Sequence, residues 1–143
     1  RALQLSKEAT LKGAKEINIK PPEVFAITVL TSISPHNFKY ELNRESSIEE
    51  NVLSLSKLTY DAGLDGCVCS PLEVKSLKAK YNDKFKFITP GIRFLINDIN
   101  DQSRVMSPVD AISNGASKIV VGRAITKNNN PNKIFLEICK SII

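Results

Sequence analysis

One histidine, His36, and three cysteines, Cys67, Cys69 and Cys139, are all the imidazole and thiol donors this chain has. Four metal ligands are hard to assemble from so few, so Cys67 and Cys69, which alternate onto one face of an apolar stretch, read as buried structural thiols rather than a metal pair. An odd cysteine count without framework spacing excludes a disulfide scaffold and fits reduced thiols in a cytosolic protein. No apolar run approaches the roughly 20 residues of a membrane span. The start at Arg1 shows neither a signal peptide nor a methionine, as expected of a chain entered partway along. Nucleic acid is disfavoured by the way charge is distributed. The net charge is +5, yet fifteen of the twenty basic residues are lysines spread from Lys7 to Lys140, with neither a basic stripe nor interleaved aromatics.

What is present is ordinary for a globular protein: 143 residues, 42% apolar and 24% charged, enough for a single domain over 1–143 with its own core. Leu5, Ala9, Leu11, Ala14 and Ile17 recur with helical spacing. Pro21 and Pro22 forbid continuation, and the nearly unbroken run Val24 to Leu30 reads as a parallel strand buried on both faces. Pro35 to Arg44 is irregular, with room for a short helical turn, and His36 is expected in a loop there. Ser46 to Glu50 opens a helix with carboxylates in its first turn, and Gly63 stops it. Gly66 to Cys69 is the second strand, entered past Asp65, which we expect to bond to backbone in a loop. Ser70 and Pro71 are expected to cap and start the next helix, as Ser107 and Pro108 do further on. Phe85 to Ile88 and Ile119 to Val121 complete four strands alternating with helices, and a last helix follows Asn128 to Pro131. Such alternation implies an α/β fold with parallel pairing and right-handed crossovers. Pattern alone leaves an open sheet and an arc of a barrel equally available.

Three of the five arginines, Arg93, Arg104 and Arg123, lie in two stretches that follow strands. Thr89-Pro90-Gly91-Ile92-Arg93 turns out of the third strand, and Gly122-Arg123 closes the fourth. Ligands of parallel sheets sit at the carboxyl ends of strands, where a guanidinium fork matches phosphate well. Two such ends suggest one anion held from two sides. The bland alternative is an ordinary turn with a solvent-facing arginine. Asp98 and Asp101, in the loop leading to Arg104, are expected to form a surface ion pair rather than an acid–base pair.

TVLTS at Thr28 to Ser32, GLDGCVCS at Gly63 to Ser70, TPGIR at Thr89 to Arg93 and IVVGRAIT at Ile119 to Thr126 resemble the orotidine 5′-phosphate decarboxylase family in order and spacing. Asp98 to Gln102 followed by Arg104 to Pro108 is similar to that family's active-site loop. The resemblance implies a TIM (β/α)8 barrel, a fold of about 250 residues. This chain would supply the carboxy-terminal half, strands five to eight. It implies that Arg123 and the Gly122 backbone hold the substrate phosphate, that Gln102 reaches over it, that Arg93 completes the polar wall and that Thr31, with Ser32, faces the pyrimidine. Orotidine 5′-phosphate and its product UMP are the implied ligands. Neither metal nor organic cofactor is implied. The family's catalytic Asp-x-Lys-x-x-Asp run is absent from this sequence, so the chain alone is expected to be inactive. The implied partners are a second copy, as in a homodimer of the complete enzyme, or a chain bringing the amino-terminal half. A non-catalytic half-barrel acting as a binding or oligomerising module is the alternative. The implied location is the cytoplasm.

Overall fold

The computed structural model describes residues 1–81, 83–93 and 104–143. Helix α1 (Ala2–Glu16) is followed by strand β1 (Phe25–Ile27), helix α2 (Pro35–Tyr40), helix α3 (Ile48–Asp61) and strand β2 (Gly66–Val68). Helix α4 (Val74–Lys78), strand β3 (Lys86–Thr89), helix α5 (Pro108–Ser113), strand β4 (Lys118–Ile119), helix α6 (Arg123–Thr126) and helix α7 (Pro131–Ser141) complete the order. The strands form a parallel sheet in sequence order, β1-β2-β3-β4. The expected parallel α/β architecture is therefore present.

Local chemistry explains most boundaries. At α3 the Ser47 side chain accepts from the Glu50 N–H while Glu50 bonds back to the Ser47 N–H, a reciprocal capping box. Ser107 caps α5 with Pro108 inside its first turn, and Gly115, at φ 104°, takes the left-handed conformation just past its end. The short helical turn allowed for around Pro35 is a six-residue helix that includes His36, which was expected in a loop, because the Ser34 side chain accepts from the Asn37 N–H and Pro35 fits the first turn. One expected start is corrected. Ser70 and Pro71 do not begin α4, which starts at Val74; the Ser70 carbonyl accepts from the Glu73 N–H at 3.0 Å and forms a separate turn first. Strand β4 also starts one residue earlier than expected and ends two residues earlier, at Ile119.

The two faces of the sheet differ. Cys67, Phe87 and Thr89 point to the helices and are fully buried, packed with Val52, Val74, Leu77 and Ala111. Both strand thiols are thus buried and free, as expected. Burial of a side chain such as Phe87 contributes roughly 1.5–3 kcal/mol. On the opposite face Ile27, Val68 and Ile88 sit side by side in register. Ile27 remains 64% exposed there. Toward the amino ends, Glu23 bonds both Lys86 and Lys118 on that face, and these two ammonium groups hold its carboxyl below the usual range. Among the described helices none is long and apolar enough to cross a membrane.

Asp65 behaves as the sequence suggests, with additions. Its carboxylate accepts from the Val24 N–H at 2.7 Å and from the Lys7 ammonium at 2.5 Å, tying α1 to the entrance of the sheet. Partial burial works upward on its pKa, but Lys7 and the Val24 N–H outweigh it and hold the carboxyl low.

Gly66 is dictated by close strand approach. A Cβ there would run into the Lys86 carbonyl oxygen and come within 2.7 Å of the Phe25 ring. Gly66→Ala is therefore expected to lose roughly 2 kcal/mol of stability, as overpacking typically does, with the midpoint of denaturant unfolding as the measurement.

Candidate functional site at the carboxyl end of the sheet

Parallel strands in sequence order place all four exits on one edge. Thr89 pairs with Ile119, and Arg93 and Arg123 each follow their paired residue by four positions. The two turns therefore leave the same end of neighbouring strands. Gly91 takes φ 77°, the backbone conformation its sequence position anticipated. Beyond it the chain pairs with the segment ahead of α5: the Arg93 N–H donates to the Met106 carbonyl at 3.0 Å, and the Met106 N–H to the Gly91 carbonyl at 3.3 Å. This bridge joins the segments on either side of residues 94–103, which lie outside the described residues.

The site residues occupy different environments. Arg93 is buried, and its Nη1 donates to the Ile92 carbonyl at 2.9 Å, so it is not the solvent-facing arginine of the bland reading. Part of its donor fork is engaged within the protein. Arg123 is half-buried at the first position of α6, directly after Gly122, which is exposed. Among the described residues other than Gly122 and its two chain neighbours, no atom lies within 4 Å of the place a Gly122 Cβ would take. Thr31 is buried in the turn after β1. A cavity of about 190 Å³ lies beside it, lined by residues that include Val29, Thr31, Ser32, Cys69 and Pro90. The Thr31 turn and the TPGIR turn thus meet at one cavity. Gln102, Asp98 and Asp101 lie outside the described residues.

Arg104 corrects an expectation. It is only 9% exposed and pairs with Glu73, itself 8% exposed, rather than lying at the surface. Its Nη2 also donates to the carbonyls of Leu30 at 3.0 Å and Val29 at 3.3 Å. Glu73 in turn accepts from the Ser70 N–H at 2.9 Å. Sequence reasoning missed Glu73 altogether; its one signal was a carboxylate three residues after Ser70, the spacing of a reciprocal turn bond. Burial pushes the Glu73 carboxyl up, and the Arg104 guanidinium opposes that rise only in part. The neighbouring Cys69 thiol is pushed up as well, by its bond to Cys67 and then by burial, so it stays protonated and unreactive. Among the described residues no group of histidine, cysteine and carboxylate side chains could hold a metal ion.

Comparison with known proteins gives a consistent result. Residues 3–138 match the family described as Orotidine 5'-phosphate decarboxylase / HUMPS family. The orotidine 5'-phosphate decarboxylase of Prochlorococcus marinus subsp. pastoris is 58% identical over 142 residues, which are 99% of this chain and 59% of that protein. That of Prochlorococcus marinus strain MIT 9215 is 57% identical with the same coverage. The crystal structure of orotidine 5'-phosphate decarboxylase from Lactobacillus acidophilus matches with a TM-score of 0.79 and 36% identity, over 98% of this chain and 57% of that one. The chain thus spans somewhat under three-fifths of the curated relatives' length.

The buried pair carries a pH signature. A carboxyl whose folded-state pKa lies above its unfolded value contributes most at low pH and loses that contribution as pH rises through the folded value. Arg104→Met removes the opposing charge and strengthens this dependence. The expected cost is roughly 3 kcal/mol at neutral pH, the range for breaking a buried pair, and clearly less at pH 5; urea unfolding at both values is the measurement.

Proposed function

Because the chain belongs to the orotidine 5'-phosphate decarboxylase / HUMPS family, we propose that it supplies the phosphate site and part of the pyrimidine site of an enzyme converting orotidine 5'-phosphate to UMP in pyrimidine biosynthesis. The observation carrying this reading is the equal offset of Arg93 and Arg123 from the Thr89–Ile119 pair. Arg123 and the Gly122 N–H hold the phosphate, Arg93 completes the polar wall, and Gln102 reaches over from the loop. Thr31 and Ser32 face the pyrimidine across the cavity that Pro90 also lines. The empty space beside Gly122 favours this role, since a backbone N–H can approach an anion only where no side chain intervenes. A charge-assisted bond from Arg123 is worth roughly 1.5–3 kcal/mol. In the complete enzyme such remote binding offsets the cost of forcing the reacting carboxylate into place. The half of the barrel held in residues 1–143 binds and the missing half reacts, because no Asp-x-Lys-x-x-Asp run stands in this sequence. The complete enzyme works in the cytoplasm as a homodimer, without metal or organic cofactor.

Calorimetric titration with UMP tests the site. Arg123→Ala is expected to weaken binding about tenfold or more, and Gly122→Ala to weaken it without lowering the melting temperature. Unchanged affinity in both variants would defeat the reading. Incubated with orotidine 5'-phosphate, the unaltered chain is expected to produce no UMP above background; clear turnover would show the missing machinery misassigned.

A second reading follows from the uncovered sheet face. Ile27 and Val120, 64% and 52% exposed, are apolar groups a closed barrel would cover, and β1 and β4 end the sheet within this chain. Such a half-barrel serves as a binding or oligomerising module, joined to a second copy or to a chain bringing the amino-terminal half. Sedimentation velocity at micromolar concentration is expected to show self-association, and a clean monomer would count against it.

A further inference from the structure

The buried pair of Glu73 and Arg104 lies behind the cavity. Beyond β1 the chain has left the ladder: the last sheet pairing joins Ile27 to Val68, and Thr28 donates to the Val68 carbonyl from its N–H and its hydroxyl. The Val29 and Leu30 carbonyls therefore need partners elsewhere, since a buried acceptor left without one is costly. Arg104 supplies both from one nitrogen, while its other terminal nitrogen is held by Glu73. The Leu30 carbonyl also accepts from the Ile33 N–H at 3.1 Å, which closes a turn with Thr31 and Ser32 at its tip. Glu73 is fixed in turn by the Ser70 N–H, at the exit of β2. One planar guanidinium thus joins the exits of β1 and β2 to the segment that follows β3. A lysine could not do this, having a single point charge where three acceptors are spread around a fork.

Resting on the nucleotide reading above, we infer that Glu73 and Arg104 are positioning residues for the base end of the ligand: they fix the Leu30–Ile33 turn and with it the place Thr31 takes at the cavity. Neither residue touches the ligand. A buried ion pair is a weak source of net stability, and apolar groups of similar size often replace it without loss. That property separates positioning from scaffolding. The double variant Glu73→Met with Arg104→Met leaves no uncompensated charge and is expected to fold with a smaller loss of stability than Arg104→Met alone, but it cannot hold the two carbonyls.

The test compares two probes, UMP and ribose 5-phosphate, which share the phosphate and differ in the base. In the double variant, ribose 5-phosphate is expected to bind as it does to the parent, and UMP about tenfold more weakly, the loss of about 1.4 kcal/mol of base contact. Amide exchange of Ile33, measured without ligand, is expected to accelerate about tenfold relative to the core amides of Cys67 and Phe87. Equal changes for the two probes, an unchanged UMP preference, or unchanged Ile33 exchange would each overturn the inference. A parent chain that shows no preference for UMP over ribose 5-phosphate would instead overturn the nucleotide reading itself, and this inference with it. Failure of the inference alone leaves the parent's preference intact.

Discussion

Parallel pairing in sequence order is the constraint from which the remaining features follow. A chain whose strands all run the same way must return on one side between them, so α3, α4 and α5 bury one face while the other is left to Ile27, Val68 and Ile88. The same direction puts the turns after β1, β2, β3 and β4 along one edge. Register then decides which residues of those turns are neighbours. Because Thr89 stands beside Ile119, the two arginines follow paired residues by the same number of positions.

The two ends of the sheet are held by different chemistry. At the amino end, Asp65 and Glu23 gather Lys7, Lys86 and Lys118 with backbone N–H groups into partly exposed ion pairs. Exposed pairs of this kind contribute little each and chiefly order the entrance. At the carboxyl end, Glu73 and Arg104 are withdrawn from water and bonded to backbone on both sides of the cavity. Low dielectric makes those contacts strong when complete and costly when broken. Positional constraint is thus distributed at one end and concentrated at the other.

Much of this was legible in the residues themselves. Ser47 with Glu50, Ser107 with Pro108, and Gly91 and Gly115 at positive φ follow from the bonding and backbone limits of single residues and near neighbours. So did the alternation of strands and helices, and the family motifs placed the turns in order. The start of α4 was not legible, because Ser70-Pro71 carries the same local signal as Ser107-Pro108 and only the tertiary turn around Glu73 tells them apart.

Sequence by itself determined the alternation of four strands with helices, the parallel class and the identity of the turns that carry glycine and arginine, since each depends on contacts within a few residues, but not the short helix α6. Tertiary structure alone decided that Arg104 goes inward to Glu73, that part of the Arg93 fork bonds backbone, and that the Thr31 and Pro90 turns share a cavity. Apart from the Arg93 bond to its neighbour Ile92, those outcomes join residues at least 31 positions apart, and the burial that makes a charge seek one partner over another exists only once the sheet has formed.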